Sequence, residues 1–305
     1  MDVLLVGADN PVGVALQGAF TQWGRHQSIP TSTAASRWKS ERQAKKAARR
    51  GKPQVVVDLR LAWQIAAGEI PLPVDIERSH WLAKACERSG MCYIMLSSDR
   101  VFSGKLSRSL RTSDPCDAQT PEGLLLVEAE RRVLDAAPSA IVLRCGPLFA
   151  GFDSNMLTGL LQQMEPERGI FCDDIHTFCP VASVDAARVI AAVLDQFSVG
   201  AEASGIYHYC SGDKTTEYGF AEVVLAAASQ HHDCGDVLLH ADRHGKAQAA
   251  SRASDSTPDR DELAPEQRSL DCSRLRDAFA VKQVAWRGFI NTLVKQYYLR
   301  FQEAD

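Results

Sequence analysis

Val3, Leu4, Leu5 and Val6 form an unbroken apolar run, the mark of a strand covered on both faces. The turn Gly7-Ala8-Asp9-Asn10-Pro11-Val12-Gly13 follows, and Val14, Leu16, Ala19 and Phe20 then recur at helical spacing. Val55-Val56-Val57 predicts a second buried strand, ending in Asp58-Leu59-Arg60. Cys92 to Leu96 predicts a third, ending in Ser97-Ser98-Asp99, and Ala140 to Leu143 a fourth, after a helix from about Glu122 to Ala136. Strands alternating with helices of this length imply right-handed crossovers and a Rossmann-like doubly wound parallel α/β sheet. Beyond Gly146 the alternation loosens. Helices from Asp185 to Gln196 and Glu217 to Ser229, with a strand at Ile206 to Tyr209 between them, predict a smaller C-terminal α/β lobe. The expected division is 1–150 and 151–305, with 181–200 packing back on the first part. Residues 243–267, rich in Ala, Ser, Asp and Arg and without apolar period, read as a mobile loop, and a helical pattern returns from Leu270 to Phe301.

Composition narrows the partners. The 305 residues are 45% hydrophobic and 24% charged, and 34 Lys and Arg against 38 Asp and Glu leave a net charge of -4. No global basic excess points to nucleic acid or an anionic membrane. The apolar runs fall far short of the ~20 residues that span a bilayer. Asp2 and the early Gly7 do not suit a signal peptide, and the nine cysteines include no C-x-x-C pair. A cytoplasmic protein with reduced thiols and no metal site is therefore expected. Adjacent His231 and His232 point in different directions on a helix, and Cys145 reads as a small core residue. The segment from Arg37 to Lys52 carries eight basic residues and one acid, Glu41. It reads as a solvated helix face or as a docking patch for an anion or a protein.

A strand entering a helix through a glycine turn offers helix N–H groups and a partial positive charge to a pyrophosphate. Gly7, Asn10 and Gly13 are thus candidate contacts for NADP or NAD, with asparagine where a third glycine is usual. Arg60, at the end of the Val55–Val57 strand, either pairs with a phosphate or fills the place where the nucleotide would lie.

Several segments together resemble the dTDP-4-dehydrorhamnose reductase family of extended short-chain dehydrogenases, over about residues 1 to 300. Leu96-Ser97-Ser98-Asp99-Arg100-Val101-Phe102-Ser103-Gly104 is similar to the family's S-T-D-Y-V-F-D-G. Asp173-Asp174 with Pro180 and Asp185 resembles D-D-Q-x-G-x-P-T, and Gly205-Ile206-Tyr207-His208 resembles G-I-Y-H. Pro265 through Asp271 resembles R-P-x-x-S-x-L-D, and Trp286 falls where a tryptophan is common. The resemblance implies a cleft for a sugar nucleotide, with Ser98 beside cofactor and substrate and with Asp174, His176 and Arg268 as substrate contacts. It also implies a tyrosine that donates a proton to the carbonyl, and a lysine four residues on that lowers the tyrosine pKa and holds the ribose. Ungapped alignment from Asp114 to Leu134 puts Glu122 and Leu126 at those two positions. None of the six tyrosines has a lysine four residues later.

The expectation is a non-catalytic relative: a nucleotide or sugar-nucleotide binding, regulatory or scaffold protein with a protein partner or a second copy. The alternative is an active NADP-dependent sugar-nucleotide reductase or epimerase that uses Glu122 or Ser98 as its acid. A third reading is an assembly module with an empty cleft.

Overall fold

The computed structural model describes residues 1–164, 169–235, 237–242 and 266–302. The first half runs β1 (Asp2–Val6), α1 (Pro11–Trp23), β2 (Gln27–Thr31), α2 (Glu41–Ala48), β3 (Val55–Asp58), α3 (Arg60–Ala66), α4 (Pro73–Glu87), β4 (Cys92–Ser98), α5 (Pro121–Ala136) and β5 (Ile141–Cys145). The second half runs β6 (Leu148–Phe149), α6 (Met156–Leu161), β7 (Gly169–Asp173), β8 (Thr177–Phe178), β9 (Val181–Ala182), α7 (Ser183–Ser198), β10 (Gly205–Tyr209), α8 (Glu217–Ala228), β11 (Leu238–Asp242), β12 (Gln267–Arg268), α9 (Ser273–Phe279) and α10 (Arg287–Gln302).

Six strands form one sheet in the order β2-β1-β3-β4-β5-β10, every pair parallel. The chain leaves β1 on one side for β2 and returns on the other side as β3. That reversal opens a crevice above the carboxyl ends of β1 and β3, where open α/β sheets bind ligands. β3 is buried along its whole length, as its three valines predict.

Three expectations need correction. Val55–Val57 belongs to the third strand of the chain, because Gln27–Thr31 forms an edge strand beside β1. Its sequence carries one large apolar residue, Ile29, and Pro30, which an edge position tolerates but a strand pattern hides. The basic helix covers only Glu41–Ala48 and ends before Gly51 and Lys52, both at positive φ. Ile206–Tyr209 does not belong to a separate lobe: as β10 it pairs with β5 at the edge of the main sheet. Residues 243–265 of the expected mobile loop lie outside the described residues, while Gln267 pairs with Thr177.

Two apolar cores follow. The first packs the helices around the six-stranded sheet and includes Val189, Ile190, Val193 and Leu194 of α7. On the same side, Arg25 and His26 bond Asp195. The second core gathers Leu157 of α6, Phe220 and Val224 of α8, and Trp286, Ile290 and Leu293 at and after the start of α10. Burying each such large side chain contributes about 1.5–3 kcal/mol. The short strands β7, β8 and β12 carry Asp173, Phe178 and Arg268, which meet at one cavity.

Candidate active-site cleft

The glycine turn keeps its fold. Gly7 has φ +83°, and a Cβ on Gly13 would lie 2.6 Å from the Gly7 carbonyl oxygen, so only glycine lets α1 approach β1 this closely. Asn10 caps α1: its Oδ1 accepts from Gly13 N–H at 2.9 Å, and its Nδ2 donates to the Leu59 carbonyl at 3.3 Å. Asn10 therefore ties the turn to the end of β3. Pro11 supplies no N–H and Gly13 has spent its own, so two of the first three helical positions have no amide to offer a phosphate.

Arg60 does not face solvent as a free cation. Its Nε and Nη2 make two bonds to Asp58, at 2.8 and 2.6 Å, and both residues are buried. Asp58 also accepts from Ser79 Oγ at 2.9 Å and Tyr93 Oη at 2.8 Å. Burial works against its charged form, but the Arg60 charge and these three donors outweigh burial and hold its pKa below the ordinary value. The Arg60 stem packs on the turn: a Cβ on Gly7 would sit 3.3 Å from Arg60 Cγ. Its guanidinium lies 5.5 Å from the Trp38 ring centroid. Asn10, Leu59 and Arg60 thus pack together at the crevice, and with the Gly13 amide and the Arg60 charge both engaged within the chain the turn is a poor fit for a dinucleotide pyrophosphate.

Farther along the sheet a cavity of about 340 Å³ opens. Ala62, Ile65 and Ala66 of α3 form one wall, and Pro147, Leu148 and Met156 another. Ser98, Asp99 and Arg100 enter from the end of β4, Thr120 from the cap of α5, and Asp173, His176, Phe178, Glu217, Glu266 and Arg268 from the second half. A Cβ on Gly123 would meet the Arg100 carbonyl at 2.3 Å, so the first turn of α5 packs directly on the Asp99–Arg100 backbone. Asp173 accepts the backbone N–H groups of Ile175 and His176 and a short bond from His176 Nδ1. Glu217 accepts Asp173 N–H at 3.0 Å. Its pKa is raised, first by desolvation and then by the nearby charges of Asp173 and Asp242.

Of the residues singled out in the sequence, Ser98, His176 and Arg268 line this cavity, and Gly7, Asn10, Gly13 and Arg60 cluster at the closed turn. Asp174 stands behind the wall, accepting from Thr216 Oγ1 at 3.0 Å. Ser98 Oγ donates to Asp99 Oδ1 at 3.0 Å and accepts Arg100 N–H at 3.3 Å. Glu122 lies near enough to Arg100 to favour its charge, and Leu126 is buried in the main core. Among the described residues, neither a tyrosine nor a lysine lines the cavity. Sequence reasoning missed Asp99, Arg100, Asp173, Glu217 and Glu266. The available signal was Arg100 itself, a charge where the resembled motif has tyrosine.

Behind the cavity lies a second buried ionic group. Arg144 bonds Glu130 through Nε and Nη2, with Nη2 to Oε2 at 2.6 Å, and Ser97 Oγ donates to Glu130. Arg144 also reaches His208 Nε2 at 3.4 Å, and His208 Nδ1 bonds the Leu110 carbonyl at 3.1 Å. Burial, then the Arg144 charge, pushes His208 down to about 4. Between about pH 6.5 and 4 the unfolded chain binds a proton that the folded ring refuses. The stability this group contributes is therefore constant above this window and falls by up to about 1.4 kcal/mol per pH unit as pH drops through it. Urea midpoints at pH 7 and 5 should fall less steeply in His208→Gln than in the native chain, the remainder coming from groups such as His26, whose pKa burial also lowers.

Other candidates resolve simply. Burial pushes the Cys145 thiol up, which suits a core residue. His232 stacks on Tyr298 at 5.4 Å. Among the described residues no group of His, Cys, Asp and Glu is arranged to hold a metal, and no helix is long and apolar enough to cross a membrane.

Comparison with known proteins agrees with this architecture. The chain is 22% identical over 300 residues to dTDP-4-dehydrorhamnose reductase of Aggregatibacter actinomycetemcomitans, covering 95% of this chain and 97% of the relative. It is 25% identical over 235 residues to the enzyme of that name from Burkholderia thailandensis, covering 74% and 78%. Among solved structures, the Clostridium acetobutylicum dTDP-4-dehydrorhamnose reductase superposes with TM-score 0.73 at 17% identity, covering 99% of this chain and all of that one. The Bacillus anthracis enzyme, solved in complex with NADP, gives TM-score 0.73 at 14% identity, covering 100% and 99%. With the family model of the RmlD substrate binding domain matching residues 1–299, the chain belongs to that family.

Proposed function

We propose that this chain is a non-catalytic member of its family: a cytoplasmic protein that binds a nucleotide or sugar nucleotide in the cleft and acts as a regulator or scaffold. The observation that carries this reading is the cavity wall, which among the described residues presents neither a tyrosine hydroxyl nor a lysine ammonium. Ketone reduction needs a proton donor beside the hydride donor. Leu126 supplies neither charge nor hydrogen bond, a carboxyl donor at Glu122 would have to stay protonated at neutral pH, and no lysine remains to place the ribose. The filled pyrophosphate turn supports the same reading from the cofactor side. For a partner, the exposed basic face around α2 is the first candidate, since Lys84 and Arg88 of α4 add to it around Glu41.

Calorimetric titration with NADPH, NADH and dTDP, together with an NADPH oxidation assay on a dTDP-4-keto sugar, tests this. The expected result is heat with dTDP, none with either dinucleotide, and no turnover. Turnover that falls in Glu122→Gln or Ser98→Ala would establish the reductase instead, with that residue as its acid. No heat with any ligand would leave an assembly module whose cleft is vestigial.

A further inference from the structure

Three polar atoms at or beside the cavity are buried without a partner among the described residues: Asp99 Oδ2, Arg268 Nε and Thr177 Oγ1. Buried polar atoms are costly to leave so unless something bonds them. Arg268 engages Glu266 through Nη2 alone, at 2.6 Å, and so keeps its Nε free. The Arg100 guanidinium makes no hydrogen bond among the described residues, although it faces the same space. The two guanidiniums disfavour each other: after desolvation, the charge of Arg268 is the next cause that lowers the Arg100 pKa.

The acids on the wall do not cancel this demand. Glu266 is tied to Arg268, and Asp173 is tied to His176 and two backbone amides. Asp99 and Glu217 both shift toward the neutral acid, in each case chiefly through desolvation. What remains is a pair of cations with unused donors beside one buried acceptor.

We infer that the cleft takes a sugar-sized ligand bearing an oxyanion, which Arg100 and Arg268 grip together while Asp99 Oδ2 accepts one of its hydroxyls. The inference rests on the reading above that the cleft is a binding site free of dinucleotide. The cavity of about 340 Å³ suits one pyranose ring with its substituent. A guanidinium with a free edge favours planar or tetrahedral oxyanions, so a carboxylate and a phosphate satisfy the same donors.

Titration of the full chain with glucose, glucuronate, glucose 1-phosphate and inorganic phosphate separates the possibilities. At least one charged sugar should bind ten times tighter than glucose, and the better of the two tells whether the oxyanion is a carboxylate or a phosphate. Arg100→Gln and Arg268→Gln should each weaken that ligand at least tenfold and leave the melting temperature of the free protein unchanged. Glucose binding as tightly as either anion would overturn the inference, as would affinities untouched in both variants. Inorganic phosphate matching glucose 1-phosphate would overturn the sugar part. Because NADPH is titrated separately, binding of a dinucleotide would defeat the proposed function without altering these results.

Discussion

Asp58→Ala is expected to lower the unfolding free energy by roughly 3–5 kcal/mol, the cost of leaving one member of a buried ion pair uncompensated. The side chains of Arg60 and Asp58 are only 4% and 1% exposed, so the stranded guanidinium has little access to water. Ser79 and Tyr93 lose their acceptor in the same stroke. Urea unfolding would show a lower midpoint with an unchanged slope. Asp58→Ala combined with Arg60→Met should recover part of the loss, because the apolar replacement removes the orphaned charge. A loss below about 1 kcal/mol in the single variant would mean that Arg60 swings into the crevice and finds water. The closed turn would then be a rearrangeable lid over a competent nucleotide site.

Glu130→Ala is expected to be of the same size, roughly 3–5 kcal/mol, for the same physical reason. It differs in what it does to its neighbour. Among the described residues Glu130 alone gives Arg144 a carboxylate partner, and Arg144 stands beside His208. With the carboxylate gone, the full Arg144 charge bears on the imidazole and pushes it lower still. The acid-sensitive window should therefore extend below pH 4, visible as a stability slope that persists at lower pH than in the native chain. An unchanged window would show that Glu130 does not screen the Arg144 charge at the imidazole.

Strong apolar runs made the parallel sheet legible: Val3 to Val6 and Val55 to Val57 leave few other places to go. β2 was not legible, because Gln27, Ser28 and Pro30 dominate a strand that needs only Ile29 to cover the edge. β10 was legible as a strand but not as a member of the main sheet, since nothing local to Gly205–Tyr209 names β5 as its neighbour. In the cleft, local motifs found Ser98, His176 and Arg268. Glu217 and Glu266 escaped notice because their roles come from packing across long sequence separations. Arg60 is the instructive case. Its position was readable and two fates were open; what the sequence could not offer is the buried pairing with Asp58, which Ser79 and Tyr93 complete.

The asparagine cap has a consequence for mass action. Where a helix start is left open for a phosphate, bound nucleotide adds to the folding free energy in proportion to the logarithm of its concentration. Here Asn10 supplies that bond from within the chain. That bond of the first βα unit is therefore present at every nucleotide concentration, and a nucleotide bound elsewhere in the cleft would add its stabilisation on top of it.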